Sequence, residues 1–420
     1  MRRLSLVLHT HMPYVEGFGT WPFGEEWLWE AMATCYLPLL DVLDAAPGRV
    51  TLSVTPVLAD QLAAPGVGER FSAFLQGVRE ESHALDLAAH PEVAPQLERS
   101  RERYRAAAAA GGGDLVERLA AHATWTSAAT HAVLPLLATD WGLDLQMQTG
   151  LAAHRARFGA PAGFWLPECA HAPWVLDRLE GMTCVELPGR DPRTPLRAHA
   201  GLVLAPLDRE LVDLVWGTDG YPSGAAYLNT RGFTEHRHLA WSVGGDPYDP
   251  GAARAQARAD ASDFAARVPE GWSVVALDTE LLGHWWAEGG DWLAALLEAD
   301  LEIVPLDGAY GEDAVPAGEL PISSWGRPRT LDTWSGPRAQ GLAWRQRAAE
   351  LEVLATADPP PRALRELLAL QSSDWAFLVA EDTAGTYPLE RAAGHERALA
   401  AALAGEGETA LRGLAPYLVR

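Results

Sequence analysis

This sequence predicts an α/β fold built on a parallel sheet, followed by a region that is almost wholly helical. Three observations carry that prediction. Up to about residue 312, short apolar runs alternate with segments of helical periodicity, the pattern of strand–helix–strand units. Two of those runs end in a carboxylate, Glu168 after Phe164-Trp165-Leu166-Pro167 and Asp278 after Val274-Val275-Ala276-Leu277. Beyond Arg338 the strand-like runs stop and helical periodicity takes over.

The elements follow in order. Residues 4–8 form an apolar run ending in His9-Thr10-His11, and residues 49–54 form a second, ending at Thr55-Pro56. A polar, alanine-rich stretch reads as helix through 98–110 and then as loop at Gly111-Gly112-Gly113. Residues 123–127 make the next strand, and 143–158 a helix stopped by Gly159. The strand into Glu168, a helix near 174–180 and a strand at 183–187 come next. Two short strands are expected between 202 and 215. Residues 217–250 are rich in Gly, Pro, Asp and Tyr and read as a long loop, the kind of segment that serves as a lid or binding loop. A helix at 252–268, a strand at 272–277 and a last strand at 301–305 complete the unit. Residues 313–321 are linker-like, and helices are expected at 342–355, 362–370 and 389–403. The chain therefore divides into residues 1–312, sheet-based, and 313–420, a helical second domain.

Composition narrows the function classes. The 420 residues are 48% hydrophobic, enough for a large core. All basic side chains are arginine, and a net charge of −23 repels phosphate backbones and anionic lipid, so neither nucleic acid nor membrane is an expected partner. Cys35, Cys169 and Cys184 are odd in number and far apart, which gives neither a disulfide framework nor a paired-cysteine metal motif. The first residues run directly into a strand without a signal-like segment, so a cytoplasmic protein is expected, as a monomer or small homo-oligomer.

An acid that follows a buried strand sits at the strand's carboxyl end, where α/β barrels carry out chemistry. Two such acids on different strands fit glycosidic-bond chemistry, in which one carboxylate attacks and the other donates and accepts a proton. Trp165, Trp285 and Trp286 flank them, and an indole face suits a sugar ring. His9 and His11 lie two apart and share a strand face, so a second reading stays open: a divalent metal held by His9, His11 and Asp278 with His131 and His284.

Several segments together resemble glycoside hydrolase family 57, and within it the 1,4-α-glucan branching enzymes. They are His9-Thr10-His11-Met12-Pro13-Tyr14-Val15 with Trp21-Pro22-Phe23-Gly24-Glu25-Glu26-Trp27, and Ala128-Ala129-Thr130-His131 with Leu134-Pro135-Leu136. Next come Trp165-Leu166-Pro167-Glu168-Cys169-Ala170, and Leu277-Asp278-Thr279-Glu280 with Gly283-His284-Trp285-Trp286. Ser323-Ser324-Trp325-Gly326 and Gln371-Ser372-Ser373-Asp374-Trp375 resemble the remaining signatures, and all lie in one order along nearly the whole chain. The resemblance implies an incomplete TIM-like (β/α)7 barrel against a C-terminal α-helical domain, retention of the α configuration, and neither cofactor nor metal. It implies Glu168 as nucleophile and Asp278 as general acid/base. His11 and His131 would bind the sugar next to the cleaved bond; Glu280, two residues beyond Asp278, is read as orienting Asp278 or its neighbours, apart from the resemblance. Trp21, His284, Trp285 and Asp374 are further expected substrate contacts. Trp325, Trp334 and Trp375 are expected as acceptor platforms, and Tyr221 as the tip residue of a mobile loop. The implied substrate is an α-glucan such as amylose, amylopectin or glycogen. Members of this kind are typically longer. The chain is short around residues 65–113 and between Trp216 and the Asp278 strand, so amylase-type hydrolysis and 4-α-glucanotransfer stay open beside branching. So does a glucan-binding protein of weak activity.

Overall fold

A run of β-branched and leucine residues buried on both faces can only be an interior strand, and β1 (Arg2–Thr10) is one: Leu4, Leu6, Val7 and Leu8 are all inaccessible to solvent. The computed structural model describes residues 2–17, 24–407, 411 and 413–420; Trp21 lies outside the described residues. Around β1 assemble β2 (Thr51–Val54), β3 (Ala123–Ser127), β4 (Gly163–Trp165) and, later in the chain, β8 (Gly271–Asp278). They form an all-parallel sheet in the order β4-β3-β2-β1-β8, and β9 (Glu302–Ile303) pairs with the start of β1. A smaller sheet contains β5 (Met182–Val185), β6 (Leu196–Arg197), β7 (Val203–Pro206) and β10 (Val315–Pro316).

The two sheets together curl into a barrel. β5 and β7 are parallel partners. The end of β7 is tied to β8 by the Asp208 amide, which donates to the Val274 carbonyl at 2.8 Å, and by the Ser273 hydroxyl, which donates to the Asp208 carboxylate at 3.0 Å. Seven parallel strands, β1 to β5 with β7 and β8, thus surround one core, an incomplete relative of the eight-stranded α/β barrel. Every strand end that matters chemically opens at the same rim: His9 stands opposite Asp278 in the β1–β8 register.

The structure departs from or extends the sequence reading in four places. Residues 209–216 form a helix rather than a strand, because Asp208 caps it by accepting from the Leu211 amide. The stretch after β2 is almost continuous helix, from Pro56–Leu62 through Ala94–Ala110. The expected linker contributes β10, which pairs with β6. The loop 217–250 doubles back on itself, with bridges between Leu228 and Ser242, Phe233 and Leu239, and Trp241 and Pro247. At the C-terminal end, the helices Gln340–Ala355, Pro361–Leu370, Ser373–Glu381 and Tyr387–Leu403 pack around Leu364, Leu367, Leu368 and Trp375. Among the described residues no helix is long and apolar enough to cross a membrane.

Candidate active site

The rim gathers residues that lie far apart in sequence. β1 delivers His9 and His11, the loop after β3 delivers His131, the turn after β4 delivers Glu168, and β8 ends in Asp278. His131 and Glu168 both adopt φ of 60°, and Cys169 a φ of 49°, left-handed backbone that non-glycine residues rarely enter. Each such residue costs on the order of 1–3 kcal/mol.

The helical domain supplies the other wall. The segment at Ser323 forms an antiparallel bridge with His171, and the Trp325 amide donates to the Glu168 carbonyl at 3.1 Å. In the same way Ser372 bridges Ala132, and the Ser373 amide donates to the His131 carbonyl at 3.1 Å. Two loops of the C-terminal region are thereby clipped onto the two loops that carry His131 and Glu168. Close approach matters here: a Cβ on Gly326 would sit 2.8 Å from the Trp334 ring.

Glu168 is held by donors. The Trp325 indole N–H reaches its Oε2 at 3.0 Å, Ser373 adds a second hydrogen bond, and His131 Nδ1 lies 3.7 Å from Oε1. Burial pushes the Glu168 carboxyl above its ordinary value, and these donors work against that push. Asp278 has no such support. Burial, then the carboxylates of Glu280, Glu168 and Asp374, drive its pKa well above the usual carboxylate range. The two acids therefore differ in degree: both are pushed up, Glu168 against the opposing pull of its donors and Asp278 much further, with neighbouring carboxylates adding to the push.

The histidines complete the cleft. His9 and His131 meet through their Nε2 atoms at 2.9 Å, one donating to the other, and His9 stacks on Trp165 at 4.7 Å. Burial, then the neighbouring imidazoles, hold both well below the ordinary histidine pKa and therefore neutral. His11 is different. Burial lowers it, but the carboxylates of Asp374, Glu280 and Glu168 outweigh that and leave its pKa raised. Its Nε2 pairs with Asp374 at 3.0 Å and its Nδ1 faces the Thr55 hydroxyl at 3.1 Å. Burial raises Asp374 in turn, and the His11 charge overcomes it, leaving the carboxyl below its usual value. Glu280 accepts from the His11 amide at 3.1 Å and from the Tyr36 hydroxyl at 2.6 Å, and burial still pushes it up to about 7.

Of the residues singled out in the sequence, His11, His131, Glu168, Asp278, Glu280, Trp325 and Asp374 converge on this cleft. His284 and Trp285 turn away from it. His284 Nδ1 lies 3.2 Å from the Thr34 hydroxyl, and both residues line a neighbouring cavity of about 660 Å³ with Trp27, Tyr104 and Phe233. Gly283 makes that turn possible: its φ is +126°, and a Cβ there would meet the Thr34 carbonyl at 2.2 Å. The alternative metal cluster does not form as read, since His9 faces His131 and His284 faces Thr34. His11, His131 and Asp374 do bring one donor atom each within 4.8 Å of one another.

Three expectations need correction. Trp334 and Trp375 are not platforms, because they are 2% and 0% exposed and belong to the helical core. Trp375 spends its indole N–H on the Ala369 carbonyl at 2.8 Å. We predict that Trp375→Phe costs about 1–3 kcal/mol in denaturant unfolding, through the orphaned carbonyl and the lost volume. Its KM should stay unchanged, and a raised KM with intact stability would restore the platform role. Tyr221 is not a loop tip either: it opens a short turn and donates to Asp263 at 2.6 Å, on the helix Pro250–Arg267. Sequence reasoning missed Tyr36, Ser373 and Trp216. Trp216 is 43% exposed and lies 5.8 Å from the 41% exposed Trp285, so the pair presents an aromatic surface at the edge of the neighbouring cavity that Trp285 lines. The signal for Trp216 was available, an indole next to a Gly-rich loop. Tyr36 had none, since it lies within a helical stretch, Met32–Tyr36, that widens to i→i+5 bonding.

Comparison with known proteins agrees with this geometry. Residues 356–409 match the family described as 1,4-alpha-glucan branching enzyme, C-terminal. A probable 1,4-alpha-glucan branching enzyme of Mycobacterium tuberculosis is 32% identical over 503 residues, covering 97% of this chain and 94% of the relative. An alignment longer than the 420-residue chain means that the relative carries insertions absent here. A 1,4-alpha-glucan branching enzyme of Thermococcus kodakarensis is 29% identical, covering 94% of this chain and 72% of that protein. The crystal structure of a GH57-type branching enzyme from Pyrococcus horikoshii superposes with a TM-score of 0.85 at 28% identity, covering 94% of this chain and 88% of that one.

Proposed function

Because the chain belongs to the 1,4-α-glucan branching enzymes of glycoside hydrolase family 57, we propose that Glu168 and Asp278 carry out its transfer reaction. An α-1,4 bond is cleaved and the released chain is passed to a 6-hydroxyl. The observation that supports this assignment of roles is the contrast between the two acids, Glu168 with its donors and Asp278 crowded by carboxylates.

Glu168 attacks the anomeric carbon while Asp278 gives its proton to the departing glycosidic oxygen. The resulting glucosyl ester on Glu168 frees Asp278 as a carboxylate. An incoming 6-hydroxyl then loses its proton to Asp278 as its oxygen displaces Glu168. Two inversions retain the α configuration. His11, fixed by Asp374, and the neutral His131 supply polar contacts to the sugar in the cleft. Trp325 serves the reaction through Glu168. Glu280 raises the proton affinity of Asp278 and so acts as a positioning residue.

In this reading residues 1–312 form the catalytic barrel and 313–420 the helical wall, supported by the hydrogen bonds of Trp325 and Ser373 to Glu168. No metal or cofactor takes part. Three buried free thiols fit a cytoplasmic setting, where the protein works as a monomer or small homo-oligomer.

One observation favours a second reading. The chain lacks insertions that its relative carries, and transfer beats hydrolysis only when water is kept from the covalent intermediate. The deciding experiment is incubation with amylose, followed by counts of α-1,6 linkages and of new reducing ends. New α-1,6 bonds with few reducing ends are expected. Reducing ends without α-1,6 bonds would make the protein an amylase-type hydrolase, and altered α-1,4 chain lengths without either would make it a 4-α-glucanotransferase.

A further inference from the structure

The doubled-back loop ends in a turn that rests on the helix Glu80–Ala89, and the contact is made by groups that bind metals. His236 Nδ1 lies 2.7 Å from Asp86 Oδ1, and His90 Nε2 lies 2.5 Å from Glu235 Oε2. The Thr234 hydroxyl donates to Asp86 Oδ2. Asp86 and His90 are four residues apart at the end of the helix and project to one side. Glu235 and His236 are adjacent in the turn. One donor atom each from Asp86, His90 and Glu235 falls within 4.8 Å of the others.

The surroundings orient this cluster. His90 Nδ1 lies 3.2 Å from Glu92 Oε1, which leaves Nε2 to face Asp86 and Glu235. A carboxylate on the far nitrogen of an imidazole is the usual outer partner of a metal-binding histidine, fixing both tautomer and ring angle. Asp86 is fully buried and is fixed at its second oxygen by Thr234, so it has one orientation to offer.

We propose that Asp86, His90 and Glu235 form a divalent-cation site that clamps the turn 233–239 onto the helix Glu80–Ala89. One imidazole nitrogen and two carboxylate oxygens suit Zn²⁺, which binds such donors at about 2.0–2.2 Å in tetrahedral geometry and takes water in its fourth position. The ion neutralises the two carboxylates. To admit it, the His90–Glu235 contact opens by roughly 1 Å, as bonds of that length require. The helix end gives two ligands and the turn gives one, so the ion cross-links them. The same loop begins with Thr230, whose hydroxyl donates to the Trp285 carbonyl at 2.9 Å, and Phe233 lines the 660 Å³ cavity. The clamp therefore fixes the roof of that cavity while touching none of the residues assigned to the reaction.

The test is calorimetric titration of the full-length, EDTA-stripped protein with Zn²⁺, read alongside its melting temperature. One equivalent is expected to bind, with a rise in melting temperature of several degrees at saturating ion. His90→Ala and Glu235→Gln should each weaken binding at least about 100-fold, and Glu92→Gln about 10-fold. His11→Ala should leave the stoichiometry at one, since its donor set is elsewhere. Absence of binding to the parent protein would overturn the proposal. So would Zn²⁺ retained at full affinity by both His90→Ala and Glu235→Gln, or lost in His11→Ala. Because Glu92→Gln changes only a surface partner, it keeps the test decisive if a ligand variant fails to fold.

Discussion

Glu168→Gln lowers turnover of amylose by on the order of 10⁴-fold or more and leaves maltoheptaose affinity within about threefold. The amide keeps the shape of the carboxylate, and its oxygen can still accept from the Trp325 indole at the 3.0 Å separation seen for Oε2. The strained turn at φ 60° is untouched because no backbone atom changes. What is lost is the lone pair that attacks the anomeric carbon, and no neighbouring carboxylate is placed to replace it: Asp278 is pushed well above the usual carboxylate range, and Glu280 is engaged by Tyr36 and the His11 amide. Sugar contacts made by His11 and by the exposed indoles do not depend on Glu168 ionisation. Initial rates by reducing-end and α-1,6 assays, with affinity by calorimetry, separate the two effects. Turnover within tenfold of the parent enzyme would remove Glu168 from the role of nucleophile.

Glu280→Gln moves the alkaline limb of the pH–rate profile to lower pH. The sign follows from the charges. Burial places Glu280 at about 7, so it carries a negative charge above that pH, and that charge is among the causes that lift Asp278. Without it the Asp278 pKa falls and the proton needed by the leaving oxygen is lost earlier as pH rises. At pH 8 the rate should drop by about tenfold or more, within the range of general acid catalysis. At pH 6, where Glu280 is already mostly protonated, the loss should be smaller. Stability moves the other way. The folded-state value of about 7 exceeds the ordinary 4.5, so the stability linked to this group is present below about pH 4.5 and lost as pH rises through 7. The variant should therefore be more stable than the parent at pH 8, by about 1–3 kcal/mol, with little difference at pH 4. Urea unfolding at both pH values checks this. An alkaline limb displaced to higher pH would show that Glu280 does not act on Asp278 by charge.

Much of this architecture was legible in the amino-acid order. Acids at strand ends pointed to Glu168 and Asp278, and the resemblance to glycoside hydrolase family 57 added His11 and His131; the structure brings all four to one rim. The 123–127 run was read with its correct bounds, since alternation and flanking turns mark it on both sides. Residues 209–216 were not, because a short Leu/Val run fits either period and only the Asp208 cap decides. Trp334 and Trp375 show a different limit. Sequence says where an indole lies along the chain, but burial depends on helices that pack over it, and here those helices close over both rings. The left-handed turns at His131 and Glu168, and the reach of Tyr36 to Glu280, come from long-range packing and leave no local pattern to read.

The two clipped loops have a consequence for synthesis. A chain made from its N-terminus exposes His9 and His11 first, then Glu168 and Asp278, while Trp325 and Ser373 emerge last. Until those late residues arrive, the buried carboxylate has no donors and the left-handed turns at His131 and Glu168 have no partner strand to hold them. The nascent barrel would thus leave the ribosome without a competent cleft, and activity would begin only when the final helices dock.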